Sequence, residues 1–155
     1  MRSILFVCTA NICRSPTAAA VLRRELRERR AEQRFEVASA GTHDYHVGKP
    51  AFPSAVEVAK ARGIEVARHA ARRVTPGDIE RYDLILAMDR GNLAALHAMA
   101  PTRSKHKIEL LLEYGDRYHG LEVPDPYGGE MKDFAIALDM IEDGCRGLVK
   151  LLVRD

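Results

Sequence analysis

Residues 4–16 read ILFVCTANICRSP, and the way this stretch divides decides the fold. Ile4 to Val7 is continuously apolar rather than alternating, the pattern of a strand buried on both faces of a sheet. Ser15 and Pro16 match an N-cap and a first helical position, and TAAAVLRRELRERR, from Thr17 onward, is rich in good helix formers. Strand, short loop and helix make the opening half of a βαβ unit. The loop carries Cys8 and Arg14, six positions apart. On a helix at about 100° per residue their side chains would point to opposite sides. In a strand they would share a face but stand roughly 20 Å apart. For thiol and guanidinium to cooperate, the chain between them must curl around something small and anionic.

Working outward, FEVASAG from Phe35 to Gly41 predicts a second strand. AFPSAVEVAKARG from Ala51 has a Pro near its start, apolar spacing and a stop at Gly63, and predicts a helix. DLILAM from Asp83 is another two-sided apolar strand, with Asp89 placed to cap RGNLAALHAM as a helix. KIELLLEY from Lys107 fits strand or helix, and is read as the strand because a parallel sheet wants a fourth. From Phe134 through Ala137, Leu138, Ile141, Cys145 and Leu148 to Leu152, apolar residues recur at three- and four-residue steps, so a long amphipathic helix closes the chain. The expected fold is α/β, a three-layer open sandwich: one four-stranded parallel sheet with helices on both faces, in a single domain over residues 1–155. In such sheets ligands sit beyond the carboxyl ends of the strands, where the loop from Cys8 to Ser15 emerges.

Composition narrows the classes. The 155 residues, 46% hydrophobic, 30% charged and without Trp, describe an ordinary globular chain. A net charge of +2 gives no warrant for nucleic-acid binding. The basic run from Arg23 to Arg34 alternates with Glu25, Glu28 and Glu32, as on a solvated helix face. No stretch approaches the ~20 apolar residues that cross a bilayer, and the start lacks a signal-peptide shape, so a cytoplasmic protein without membrane insertion is expected. Cys8, Cys13 and Cys145 suit neither a disulfide framework nor zinc-site spacing. Cys145, in an apolar register, reads as a small buried hydrophobe.

The loop itself has a chemistry. Cys8 sits at a strand end facing a helix N-terminus, where partial positive charge and unpaired N–H groups favour an anion, and Arg14 adds its own charge. Such a place favours the thiolate, the nucleophilic form of cysteine. Successive N–H groups of residues 9 to 14 can form a nest for a tetrahedral oxyanion, with Arg14 as a fork for two of its oxygens. Ser15 can hydrogen-bond the Cys8 sulfur, and Asn11 tolerates the left-handed backbone a tight curl needs. Neither G-x-x-x-x-G-K-[ST] nor G-x-G-x-x-G occurs, and Cys8 to Cys13 is not a C-x-x-C pair. A thiolate attacking phosphorus expels an alkoxide or phenoxide and needs a general acid. Asp125 in EVPDPYGG, set between two prolines, is the candidate.

Together these residues resemble the low-molecular-weight protein tyrosine phosphatases. VCTANICRSP is similar to their phosphate-binding loop, SAGT at Ser39 to Thr42 to their second-strand motif, AMD at Ala87 to Asp89 to a third-strand end, and DPY at Asp125 to Tyr127 to the general-acid loop. The motifs stand in family order along nearly the whole chain. The resemblance implies a metal-free, cofactor-free, two-step hydrolysis of phosphotyrosine in a protein substrate, releasing inorganic phosphate. Cys8 becomes phosphocysteine while Asp125 protonates the leaving oxygen; Asp125 then activates water, and Arg14 and the amides of Thr9, Ala10, Asn11, Ile12 and Cys13 hold the transition state. It further implies that Asn11, Ser15, Ser39 and His69 form a network fixing the loop, with Arg72 nearby. By the same resemblance Tyr45 and Tyr127 wall the substrate ring, and Cys13 traps oxidised Cys8 as a disulfide.

The departures are Ala10 where the family has Gly, which predicts a strained or altered loop, Thr9 in place of Leu, and Gly128 instead of a second aromatic. The alternative is a protein arginine phosphatase on the same scaffold, whose members share the Thr after the cysteine but carry Thr where this chain has Ile12. Ile12 favours a flat aromatic ring. Thioredoxin-linked arsenate reductases need later cysteines, and residues 80–95 contain none. A non-catalytic phosphate-binding or redox-sensing module would bind phosphate without turnover, and Cys8, Arg14 and Asp125 all being in place argues against it.

Overall fold

The apolar run at the start of the chain forms β1 (Arg2–Cys8), the centre of a parallel sheet in a computed structural model that describes residues 2–66 and 68–154. Strand β1 pairs with β2 (Phe35–Gly41) on one side and β3 (Leu84–Ala87) on the other, and β3 pairs with β4 (Ile108–Leu110), giving the order β2-β1-β3-β4. The pleat sends alternate residues of β1 to opposite faces. Ile4, Phe6 and Cys8 join one buried cluster, under α1 (Arg14–Glu28) and α5 (Met131–Leu152). Leu5 and Val7 join the other, with Ile79 of α3 (Pro76–Arg81) and Leu96 of α4 (Arg90–Met99). Sealing both faces explains why the strand reads apolar without alternation. Each such side chain contributes about 1.5–3 kcal/mol by leaving water.

Helix α2 (Pro53–Ala61) packs beside α5, and its Ala55 joins Ile12, Cys13, Ala71 and Phe134 in a third, small cluster behind the Cys8–Arg14 loop. Cys145 on α5 is fully buried, donates weakly to the Ala18 carbonyl, and has its thiol pushed up by burial. Among the described residues, no helix is long and apolar enough to cross a membrane.

Several expectations need correction. Helix α1 opens at Arg14 with Cys13 at its N-cap and no side-chain cap, so Ser15 lies inside the first turn. Its hydroxyl is taken by the Cys8 sulfur and Asn11 rather than by the helix. The helix ends at Glu28, where Arg30 turns left-handed at φ 54°, short of the predicted run. Its charged face is not simply solvated: Glu25 is buried and pairs with Arg29 at 2.7 Å, while Arg24 reaches Glu142 of α5 at 3.3 Å. KIELLLEY splits into β4 and a 3-10 helix at Leu111–Tyr114. Helix α3 is absent from the sequence reading, although Thr75-Pro76-Gly77-Asp78 carries a capping box with Pro at its start.

Candidate active site

Strand β1 ends at Cys8 and α1 begins at Arg14, so the loop between them is pinned at both ends by regular structure. Asn11 makes the turn at φ 60°, and Ala10 keeps an ordinary φ; among described non-glycine residues only Asn11 and Arg30 are left-handed. The strain expected at Ala10 is therefore carried by Asn11, whose side chain suits it. Asn11 is fully buried, with its side-chain polar groups and its carbonyl all used. Its Nδ2 donates to Ser15 Oγ at 2.7 Å and Ser39 Oγ at 3.0 Å, its Oδ1 accepts from the Arg72 N–H at 3.0 Å, and its carbonyl accepts from His69 Nε2 at 2.6 Å.

The neighbouring carbonyls also turn outward. Those of Cys8 and Thr9 accept from the N–H groups of Thr42 and His43, both at 2.9 Å, and that of Ile12 from Phe52 N–H at 2.8 Å. With the carbonyls so occupied, the N–H groups of Ala10 to Arg14 meet no protein acceptor among the described residues. They are available to an anion. The fit depends on Gly41: a Cβ there would lie 2.7 Å from the Thr9 carbonyl oxygen and 3.1 Å from the Asn11 nitrogen.

The Cys8 sulfur is buried, 2.9 Å from Ser15 Oγ and 3.4 Å from the Ser15 N–H. Arg14 is only 2% exposed. Its Nη1 donates to Asp89 Oδ2 at 2.7 Å and to the Val123 carbonyl at 2.8 Å, which uses both Nη1 hydrogens. One Nη2 hydrogen goes to Thr9 Oγ1 at 3.3 Å. The Nε/Nη2 edge remains as a fork. Asp125 Oδ2 stands 3.7 Å from Nη2, and Asp125 Oδ1 accepts from the Tyr127 N–H at 3.1 Å, which fixes the carboxyl within its Pro-Asp-Pro turn. Val123 ties that turn to the sheet by donating to the Met88 carbonyl at 2.9 Å.

These groups open on one cavity of about 280 Å³ that also touches Thr9, Ile12, Cys13, Tyr45, His46 and Tyr127. Tyr45 is 67% exposed and stacks on His43 with centroids 4.8 Å apart. Tyr127 stands edge-on to Phe52 at 5.3 Å and tilted to His46 at 5.7 Å. The two tyrosines thus rise at the rim, with an apolar Ile12 wall below. Cys13 is buried, and its thiol is pushed up to about 12 by that burial and by the charges of Cys8 and Asp125, against the opposing pull of Arg14.

Asp89 was legible only as a helix cap, which it is, accepting from the Asn92 N–H at 2.8 Å. Its second oxygen holding Arg14 was missed, although a carboxylate one step past a strand end is where a buried arginine would look for a partner. Gly41, Asn92, His46 and Phe52 were also missed. Phe52 and Asn92 gave no signal beyond ordinary helix residues.

The family profile described as low molecular weight phosphotyrosine protein phosphatase matches residues 3–155. A low molecular weight protein-tyrosine-phosphatase of Streptomyces coelicolor is 40% identical over 149 residues, covering 94% of this chain and 90% of that one. The crystal structure of a protein tyrosine phosphatase from Entamoeba histolytica, with Hepes in its active site, superposes with a TM-score of 0.95 at 36% identity over 98% of this chain and 97% of the other. The arginine phosphatase YwlE is similar too, with a TM-score of 0.87 at 31% identity over 99% and 97% of the two chains.

Proposed function

Since the chain belongs to the low molecular weight phosphotyrosine protein phosphatase family, we propose that it hydrolyses phosphotyrosine in phosphoprotein substrates through a phosphocysteine. Cys8 is the nucleophile, Arg14 binds the phosphoryl group and Asp125 is the general acid and base. One observation carries the reading: the Cys8 sulfur, the free edge of Arg14 and the Asp125 carboxyl converge on a single cavity, above N–H groups that have no other acceptor among the described residues.

In the first step the Cys8 thiolate attacks phosphorus and the S–P bond forms as the P–O bond to the tyrosine ring breaks. The proton of Asp125 passes to the departing phenolic oxygen. The equatorial oxygens meet the loop N–H groups and the Arg14 fork, whose plane is held by Asp89 and Val123. In the second step the Asp125 carboxylate takes a proton from water, the water oxygen attacks phosphorus, and the S–P bond breaks. Inorganic phosphate leaves and the thiolate returns to the Ser15 hydroxyl, which makes sulfur a better leaving group. Asn11, Ser15, Ser39 and His69 keep the loop curled, and Tyr45 and Tyr127 hold the ring. When peroxide oxidises Cys8 to the sulfenic acid, Cys13 condenses with it, forming a disulfide and releasing water. The reduced thiols suit the cytoplasm.

A second reading, phosphoarginine hydrolysis, is favoured by the likeness to YwlE. Ile12 distinguishes the two: it presents an apolar, β-branched wall, where a guanidinium would leave its N–H groups without acceptors. Paired peptides carrying phosphotyrosine or phosphoarginine test the choice, with phosphotyrosine expected to lead in kcat/KM by tenfold or more; the reverse ratio would overturn it. Cys8→Ser should abolish turnover while keeping vanadate or phosphate affinity, and Asp125→Ala should lower kcat by two decades or more on phenolic esters. Undiminished turnover in either variant rejects that residue's role.

A further inference from the structure

The hydroxyl of Thr9 lies in a ring of contacts that the two-step scheme does not use. Arg14 Nη2 donates to Thr9 Oγ1 at 3.3 Å, and Asn92 Nδ2 donates to the same oxygen at 3.1 Å. A hydroxyl oxygen has two lone pairs, so both are taken and Thr9 has only its own proton left to give. Thr9 lines the cavity beside Cys8, Arg14 and Asp125, where the acceptor that arrives with a substrate is a phosphoryl oxygen.

Asn92 explains why the hydroxyl is set this way. It sits in the first turn of α4, 2% exposed, with its N–H held by Asp89 Oδ1 at 2.8 Å. Asp89 Oδ2 in turn takes Arg14 Nη1 at 2.7 Å, which closes a ring through Arg14, Asp89, Asn92 and Thr9. The Asn92 Oδ1 is buried and meets no donor among the described residues. An apolar side chain of that shape would avoid the loss, so packing alone does not account for the amide. Orienting Thr9 does.

We propose that Thr9 is an additional donor to the bound phosphoryl group and that Asn92 is its positioning residue. By occupying both Thr9 lone pairs, Asn92 and Arg14 leave the O–H directed at the oxyanion. The Nη2 hydrogen given to Thr9 also fixes the roll of the guanidinium, so that its Nε/Nη2 edge faces the same ligand. The ligand class is a phosphate monoester or another tetrahedral oxyanion. This rests on the phosphatase reading above.

The test compares Thr9→Val, Thr9→Ser, Asn92→Leu and the Thr9→Val/Asn92→Leu pair by kcat and KM on p-nitrophenyl phosphate and by vanadate inhibition. Loss of one hydrogen bond to a charged group predicts about a tenfold fall in kcat/KM for Thr9→Val with a parallel rise in vanadate Ki. Thr9→Ser should stay within about threefold of wild type, Asn92→Leu should lose about fivefold, and the double variant should be no worse than Thr9→Val, because both changes remove one donor. Thermal midpoints accompany the kinetics, and if Thr9→Val does not fold, Thr9→Ser and Asn92→Leu still decide. Val equal to wild type, Ser as poor as Val, or fully multiplicative losses in the double variant would each overturn the proposal. So would tighter vanadate binding in Asn92→Leu, which would mean that the Asn92 oxygen had been taking the Thr9 proton away from the cavity. Wild-type protein inert toward p-nitrophenyl phosphate would remove the phosphatase reading itself, whereas active wild type with an indifferent Thr9→Val removes only the role of Thr9.

Discussion

Replacing Asp89 by Asn and by Ala separates two jobs that one carboxylate performs. Oδ1 caps α4 through the Asn92 N–H at 2.8 Å, and Oδ2 holds Nη1 of the buried Arg14 at 2.7 Å. Asn has a single acceptor oxygen: it can keep the cap, but its NH2 then faces the Arg14 guanidinium and the ion pair is lost. A hydrogen bond with both partners charged contributes about 1.5–3 kcal/mol, so Asp89→Asn should cost about 2 kcal/mol. Because that loss falls on the residue facing the transition state, kcat/KM should drop about tenfold to thirtyfold. Ala removes the whole Arg14 contact and the cap as well, the latter worth about 1 kcal/mol, so Asp89→Ala should lose about 3 kcal/mol of stability. Urea unfolding at constant m-value gives the stabilities, and p-nitrophenyl phosphate kinetics give the rest. If Asp89→Asn matches Asp89→Ala in stability, the cap contributes nothing. If Asp89→Asn retains wild-type kinetics, the ion pair does not set the Arg14 fork.

Gly41→Ala places a Cβ 2.7 Å from the Thr9 carbonyl oxygen, a backbone atom that cannot swing aside, so about 1–3 kcal/mol of stability and most vanadate affinity should be lost; retained affinity would show that the loop relaxes freely. With its thiol pushed up to about 12, Cys13 should be only about 1 part in 10,000 thiolate at pH 8, so iodoacetamide followed by mass spectrometry should find Cys13 unmodified long after Cys8 is labelled. Labelling of Cys13 at the rate of a free thiol would contradict its burial. Burial pushes the Asp78 carboxyl up, but Arg72 Nη1 and the Thr75 N–H, each at 2.8 Å, outweigh it and hold Asp78 below the usual carboxylate range. A depressed carboxyl adds stability above its unfolded pKa and loses it as pH falls through the folded value. Asp78→Asn should therefore flatten the loss of urea midpoint below about pH 4, and an unchanged acid limb would refute the pairing.

The opening strand, loop and helix were legible because their signals are local: an unbroken apolar run needs two covered faces, and a Cys and an Arg six apart with an Asn between them need a curl. Boundaries were less legible where a side chain had a better offer elsewhere. Ser15 resembles an N-cap, yet its hydroxyl goes to the Cys8 sulfur. The alternation of Arg and Glu along α1 looks like solvent exposure, yet Glu25 is buried beside Arg29. Such choices depend on what packs above the helix, which period and propensity do not encode.

By itself the sequence determined a parallel α/β sheet, a loop able to hold an oxyanion, and a nucleophile, a cation and a distant acid to serve it, because residue type and spacing carry that chemistry. Tertiary structure alone decided how those groups are aimed. Asp89 and Val123 reach Arg14 across 75 and 109 positions of chain, Gly41 leaves room for the Thr9 carbonyl, and Asn92 meets Thr9 from another strand's helix. The direction of a hydrogen bond is set by where its partner stands in space, and the partner here is supplied by the strand order β2-β1-β3-β4, which places the ends of β1 and β3 side by side.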